Sequence, residues 1–258
     1  MNKGTKEGTQ QEIDFTRILN QKNNLELWRR LEIYPQGHYA IRVKYQKFGA
    51  INGSKVLPKA DVFIAKGSVA TDYLKLKEYF LDEDDLEEFA LSPISGSGIS
   101  IKRADSTKYQ IMKMSPPTFK KLFRSNMLAA GASIYCNNEK DFSKNHKILE
   151  AWGVVENEFK AYFNEALDID LKDLTTNIDR TSLAKVKKWS NNEIARIINT
   201  DTRISDFIFY GIGNFEEPYT ATWLFVHNAL EKNYIIPFNI TTGSGRSKGV
   251  YTIVLKPS

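Results

Sequence analysis

One cysteine, three histidines and no long apolar run set the first limits on this chain of 258 residues. Cys136 has no second cysteine for an intramolecular disulfide and no thiolate cluster for zinc. His38, His146 and His227 are scattered without ligand spacing, so an HExxH helix, a structural zinc site and an HNH-type centre are all excluded. Any metal must then be held by oxygen donors, which is magnesium-like chemistry. No apolar run approaches the ~20 residues that span a bilayer. The opening MNKGTKEGTQQEIDF lacks the apolar core of a secretory signal, so a cytoplasmic location away from membranes is expected. There is no internal repeat, and TGSGRSKG (242–249) lacks the GxxxxGK[ST] spacing of a phosphate-binding P-loop.

What is present is an ordinary globular composition, 41% hydrophobic and 26% charged, long enough for a substantial core. The net charge of +5 is a composite. Residues 1–66 carry 12 basic and 6 acidic side chains, 67–97 carry 2 and 8, and 98–258 carry 22 and 17. A short acidic block thus cancels half of a positive excess that suits a polyanionic partner.

Residues 9–33 read as one or two helices, with Thr9 as N-cap and Glu12 three positions on. YAIRVKYQKF (39–48) alternates like a strand, Asn52-Gly53 signals a hairpin, and ADVFIA (60–65) reads as a buried strand. The acidic block 68–97 reads as short helices, a solvated insertion or a dimer surface. Strands follow at 98–105 and 108–115, and Pro116-Pro117 opens a helix over about 117–130. Residues 139–211 are mostly helical, with separate pieces at 181–189 and 191–199. Strands return at 220–230, 234–240 and 249–257. The expected class is α/β (α+β): one central mixed sheet flanked by helices, with a helical insertion. The expected organisation is a catalytic core over 1–130 with the acidic insertion 68–97, a mostly helical DNA-recognition region over 131–211, and closing strands with a basic hairpin loop over 212–258 that complete a single domain.

Three pieces of this order carry chemistry. Glu12 sits on the first helix, Asp61 heads a strand in PKADVFIA, and Ser100-Ile101-Lys102 lies on the next core strand. Ser100 and Lys102, at i and i+2, share a strand face, and pairing of the two strands could set Asp61 beside them, provided the register allows it. Asp61 with Glu12 could hold a divalent cation. Lys102 could orient or deprotonate a water and stabilise charge on a phosphate. A plain structural role for each residue stays open: Asp61 as a strand-start residue, Lys102 as an exposed lysine, Glu12 as the partner of Thr9 in a capping box.

This order, with PKAD at Asp61 and SIK at Lys102, resembles the PD-(D/E)XK nuclease superfamily, in particular type II restriction endonucleases. The resemblance covers roughly residues 1–130. It implies a restriction-endonuclease-like fold, Asp61 as metal-binding aspartate, Lys102 as catalytic lysine and Glu12 as accessory carboxylate, with Mg2+ as cofactor. The chain departs from the pattern at Ser100, where the family usually has Asp or Glu.

A basic run follows the proposed strand: Arg103, Lys108, Lys113, Lys120, Lys121 and Arg124, against Asp105 alone. Such a cluster would neutralise backbone phosphates. Ser244, Arg246 and Lys248 in TGSGRSKG could enter a groove or follow phosphates. The leading expectation is therefore a magnesium-dependent endonuclease cutting duplex DNA at a short specific sequence, as a homodimer or by sequential nicking. A repair or junction nuclease with the same core, and a non-catalytic nucleic-acid-binding protein, stand as alternatives.

Overall fold

A computed structural model describes residues 3–43, 50–51, 54–55, 58–102, 109–136, 142–213, 215–244 and 251–258. Its elements in chain order are α1 (Lys3–Asn20), α2 (Leu25–Arg30), β1 (His38–Arg42), β2 (Ala50–Ile51), β3 (Ser54–Lys55), β4 (Val62–Lys66), α3 (Thr71–Leu76), α4 (Glu83–Glu88), β5 (Ser92–Pro93), β6 (Ile99–Ile101), β7 (Met112–Met114), α5 (Pro116–Phe123) and α6 (Met127–Ser133). A 3-10 turn at Phe142–Lys144 leads into α7 (Asn145–Trp152), α8 (Glu156–Leu167), α9 (Arg180–Thr200), α10 (Thr202–Phe209), β8 (Trp223–Val226), β9 (Ala229–Lys232), β10 (Phe238–Ser244) and β11 (Tyr251–Pro257). No helix among the described residues is long and apolar enough to cross a membrane.

The chain forms two compact units, one of Met1–Tyr109 with Ser205–Ile235 and one of Gln110–Ile204 with Ile236–Ser258. The first is built on a mixed sheet in the order β1-β4-β6-β8-β9, with β5 paired to β4. Neighbours are antiparallel except β6 and β8, which run parallel in the register Ile99↔Trp223. Alternation along the strands covers both faces, as a period of two requires. Ala40, Val62 and Ile64 pack with Phe15, Leu19, Trp28 and Leu31 from α1 and α2. Ile41, Phe63 and Ala65 face the other way, against Leu74, Tyr79, Leu81, Leu86 and Leu91. Each of the Val, Ile, Leu and Phe side chains among them contributes about 1.5–3 kcal/mol when fully buried.

The acidic block therefore has a clear structural role. Asp72, Glu78, Asp84, Glu87 and Glu88 are exposed, while Leu74, Leu81, Leu86 and Leu91 cover one face of the sheet. Asp82 and Asp85 close a reciprocal capping box at the start of α4, and buried Asp85 also accepts hydrogen bonds from Tyr73 Oη (2.6 Å) and Lys77 Nζ (3.2 Å).

The second unit holds an antiparallel sheet, β10-β11-β7, with helices α5 to α9. Helix α6 is buried from Leu128 to Ser133. A Cβ on Gly131 would overlap Ser190 Oγ of α9 and the Phe163 ring of α8, so glycine lets both side chains lie close against α6.

Several sequence expectations change. The strands do not complete a single sheet: β8 and β9 join the first unit, while β10 and β11 pair with β7 in the second. Residues 220–230 are a hairpin, because His227 and Asn228 both take positive φ (50° and 61°), the geometry of a two-residue turn. The helix over 117–130 breaks where Arg124 turns left-handed (φ 65°). The two pieces expected within 181–199 are one helix, α9. Thr9 lies inside α1, which starts at Lys3, so Glu12 is no part of a capping box. The turn at Asn52-Gly53 lies outside the described residues, although β2 and β3 on either side pair antiparallel.

Candidate active site

The end of β1, the start of β4 and the end of β6 meet at one end of the first sheet. Antiparallel pairing sets Arg42 opposite Val62 and Val62 opposite Ile99. The residue before Val62 therefore falls beside the residue after Ile99. The Asp61 N–H donates to Ile99 O (2.8 Å), and Val43 N–H donates to Asp61 O (2.9 Å). Gly98 permits this approach. A Cβ there would overlap the carbonyl oxygens of Thr220 and Pro218.

The side chains form a relay. Lys102 Nζ donates to Ser100 Oγ (2.8 Å), and Ser100 Oγ donates to Asp61 Oδ2 (3.3 Å). The same Oδ2 accepts the Ile101 N–H at 2.6 Å, which fixes the carboxylate against β6. Ser100 is 2% exposed and Ile99 fully buried. Lys102 Nζ stands 5.9 Å from the Tyr109 ring centroid, a favourable cation–π position.

Glu12 reaches this end from α1. The C-terminus of that helix is clamped to β1, where the Asn20 side chain donates to Ala40 O (2.8 Å) and accepts from Ala40 N (3.0 Å). This pairing also covers the edge of β1. The Arg42 guanidinium lies 3.6 Å from Glu12 Oε2 and donates to Glu78 O (3.0 Å). Its Nε is buried without a hydrogen-bond partner among the described residues.

The electrostatics tie these groups together. Burial, then the charge of Asp61, push Glu12 up to about 7, against the pull of Arg42 and Lys102. Burial likewise raises Asp61, opposed by Lys102 and by the hydrogen bonds from Ile101 and Ser100. Lys59, two residues before Asp61, donates Nζ to Ile208 O (2.7 Å), and burial together with the charge of Lys102 brings it down to about 7. Two buried carboxylates, one of which raises the proton affinity of the other, are a hard-oxygen donor set that a divalent cation would relieve. Among the described residues there is no cluster of three or more His, Cys, Asp or Glu, so such an ion would rest on Asp61 and Glu12 with neutral donors such as the Ser100 hydroxyl.

The structure thus brings Glu12, Asp61, Ser100 and Lys102 together in one unit. Lys113, Lys120 and Lys121 are exposed and belong to the second unit. Arg103, Lys108, Arg246 and Lys248 lie outside the described residues, and Ser244 ends β10. Arg42 and Lys59 are site residues that the sequence reading did not pick out. The signal for Lys59 was its i, i+2 spacing to Asp61, whereas Arg42 was one of several basic residues in an alternating strand. No protein-family model, curated protein or solved structure matches the chain.

Proposed function

We propose that this protein is a magnesium-dependent endonuclease of the cytoplasm that hydrolyses phosphodiester bonds of duplex DNA at a specific short sequence, on a restriction-endonuclease-like core. The observation that carries this reading is the Asp61–Ser100–Lys102 relay at the ends of β4 and β6, with Glu12 beside it. Asp61 and Glu12 would hold the ion, whose contribution when bound is to polarise the phosphate and make water acidic. In this site Ser100 supplies a hydroxyl where the resembled family has a carboxylate. Lys102 therefore donates to a neutral oxygen, and its charge is left to stabilise the phosphate as negative charge builds up. The attacking water bonds to phosphorus and gives up a proton to bulk solvent, the bond from phosphorus to the leaving sugar oxygen breaks, and that oxygen takes up a proton from solvent. Asp61, fixed through Oδ2 by the Ile101 N–H, keeps its carboxylate oriented throughout. A homodimer would let two such sites cut both strands.

The test is to incubate the protein with unmethylated phage DNA and magnesium and to separate the products on a gel. Discrete fragments are expected. Asp61→Ala and Lys102→Ala should each lower cutting by at least about a thousandfold while leaving DNA binding measurable. A mobility shift with no cutting at any metal concentration would instead favour a binding protein, the reading that Ser100 supports by standing where the resembled family has a carboxylate.

A further inference from the structure

Helix α9 has two unlike faces. Leu183, Val186, Ser190, Ile194 and Ile198 are buried. The opposite stripe, Thr181, Lys185, Lys188, Asn192, Arg196 and Asn199, is exposed at every position and carries no carboxylate. The helix has one acidic residue, Glu193, and it is engaged by Arg196 through bonds of 2.8 and 2.5 Å. Lys185 and Lys188 have no ion-pair or hydrogen-bond partner among the described residues. The preceding helix, α8, has the opposite sign outside, with Glu158, Glu165 and its C-cap Asp168 exposed. Charge is also divided between the units: 18 basic against 12 acidic residues in the second, 18 against 19 in the first.

We propose that the exposed stripe of α9 is a docking surface for duplex DNA, with Lys185 and Lys188 on backbone phosphates and the amides of Asn192 and Asn199 able to reach base edges. The choice of occupant rests on the nuclease reading, and the surface itself on the segregation of charge. From Thr181 to Asn199 the stripe runs about 27 Å, and a B-DNA major groove about 12 Å wide admits one helix. Ammonium groups with no protein carboxylate beside them are free to displace phosphate counterions, each adding about 0.9 to the slope of log K against log salt. Asparagine pairs with adenine through two hydrogen bonds, which Lys185 and Lys188 cannot do.

The experiment measures binding apart from cutting. The full-length Asp61→Ala protein is titrated onto a fluorescent DNA duplex by anisotropy between about 0.05 and 0.2 M salt. Adding Lys185→Gln and Lys188→Gln should weaken binding at least about tenfold and lower the salt slope by about two. Both lysines are exposed, so the unfolding midpoint should stay put and verify the fold. The control Lys160→Gln/Lys172→Gln removes the same charge from residues paired with Glu156 and Asp170, and should leave the slope unchanged. Equal losses in the two double variants would reduce the effect to net charge and overturn the proposal. So would tight binding of RNA or an acidic polypeptide with none of duplex DNA. If the otherwise wild-type protein cuts DNA and the α9 variant binds and cuts equally well, this surface is wrong while the nuclease reading stands. An α9-dependent salt slope in a protein that never cuts supports the surface and removes the nuclease.

Discussion

Asp61 and Glu12 are acids that the fold holds near one another and away from water. The sign of their effect on stability follows from their proton affinities. Glu12 titrates near 4.5 in an ordinary setting and near 7 in the folded chain. Between those values the folded protein keeps a proton that the unfolded chain has lost. Stability therefore falls as pH rises from about 4.5 to about 7, by on the order of 3 kcal/mol from this group, and is flat beyond. Lys59 acts in the next window. Folding lowers it from 10.5 to about 7, so the unfolded chain binds the extra proton and stability recovers as pH rises between those values. Denaturant titrations across pH 4–9 should show the fall, and Glu12→Gln should remove most of it and leave the variant more stable than wild type at pH 7.5. A variant with the wild-type profile would show that the Glu12 carboxyl does not feel this environment. That Ser100 and Lys102 share a face was legible from strand periodicity, and Asp61 joins them through the register of β4 against β6, which periodicity alone does not fix. Arg42 and Lys59 were not legible, because burial and the reach of long side chains leave no mark on spacing.

Elements depend on a few backbone positions that composition does not reveal. Gly98 is one. It opens β6, and a side chain there would drive into the carbonyls of Thr220 and Pro218. Gly98→Ala should destabilise the first unit by about 3 kcal/mol or more, read as a lower unfolding midpoint. It should also reduce cutting by displacing Ser100 and Lys102. An alanine variant as stable as wild type would mean that β6 can shift without cost. The order of helices and strands was largely legible from apolar periodicity. Element ends were less so. The hairpin at His227 and Asn228 was hidden because neither residue is the glycine that such turns usually signal. The acidic block read as a solvated insertion because its charges dominate the composition, while Leu74, Leu81, Leu86 and Leu91 do the packing.

On the scale of the whole molecule, sequence order and sheet order part company. The sequence showed a mixed α/β protein, but nothing in the strands themselves said that β8 would pair with β6 and β11 with β7. Pairing partners are chosen by three-dimensional packing, and strands of three to seven residues carry little register information of their own.

The parallel pairing of β6 with β8 has a consequence for how this chain is made. Ile99 waits for Trp223, and the Gln110–Ile204 part of the second unit is synthesised between them. At about 5–20 residues per second, β6 would emerge from the ribosome some 6–25 seconds before its neighbour. Through that interval its free edge and the apolar side chains near it lack their neighbour, so the order of synthesis leaves the first unit open to aggregation. A fragment of residues 1–109 should accordingly show no cooperative unfolding transition and should aggregate in light-scattering measurements, whereas supplying residues 205–235 in trans should suppress the aggregation.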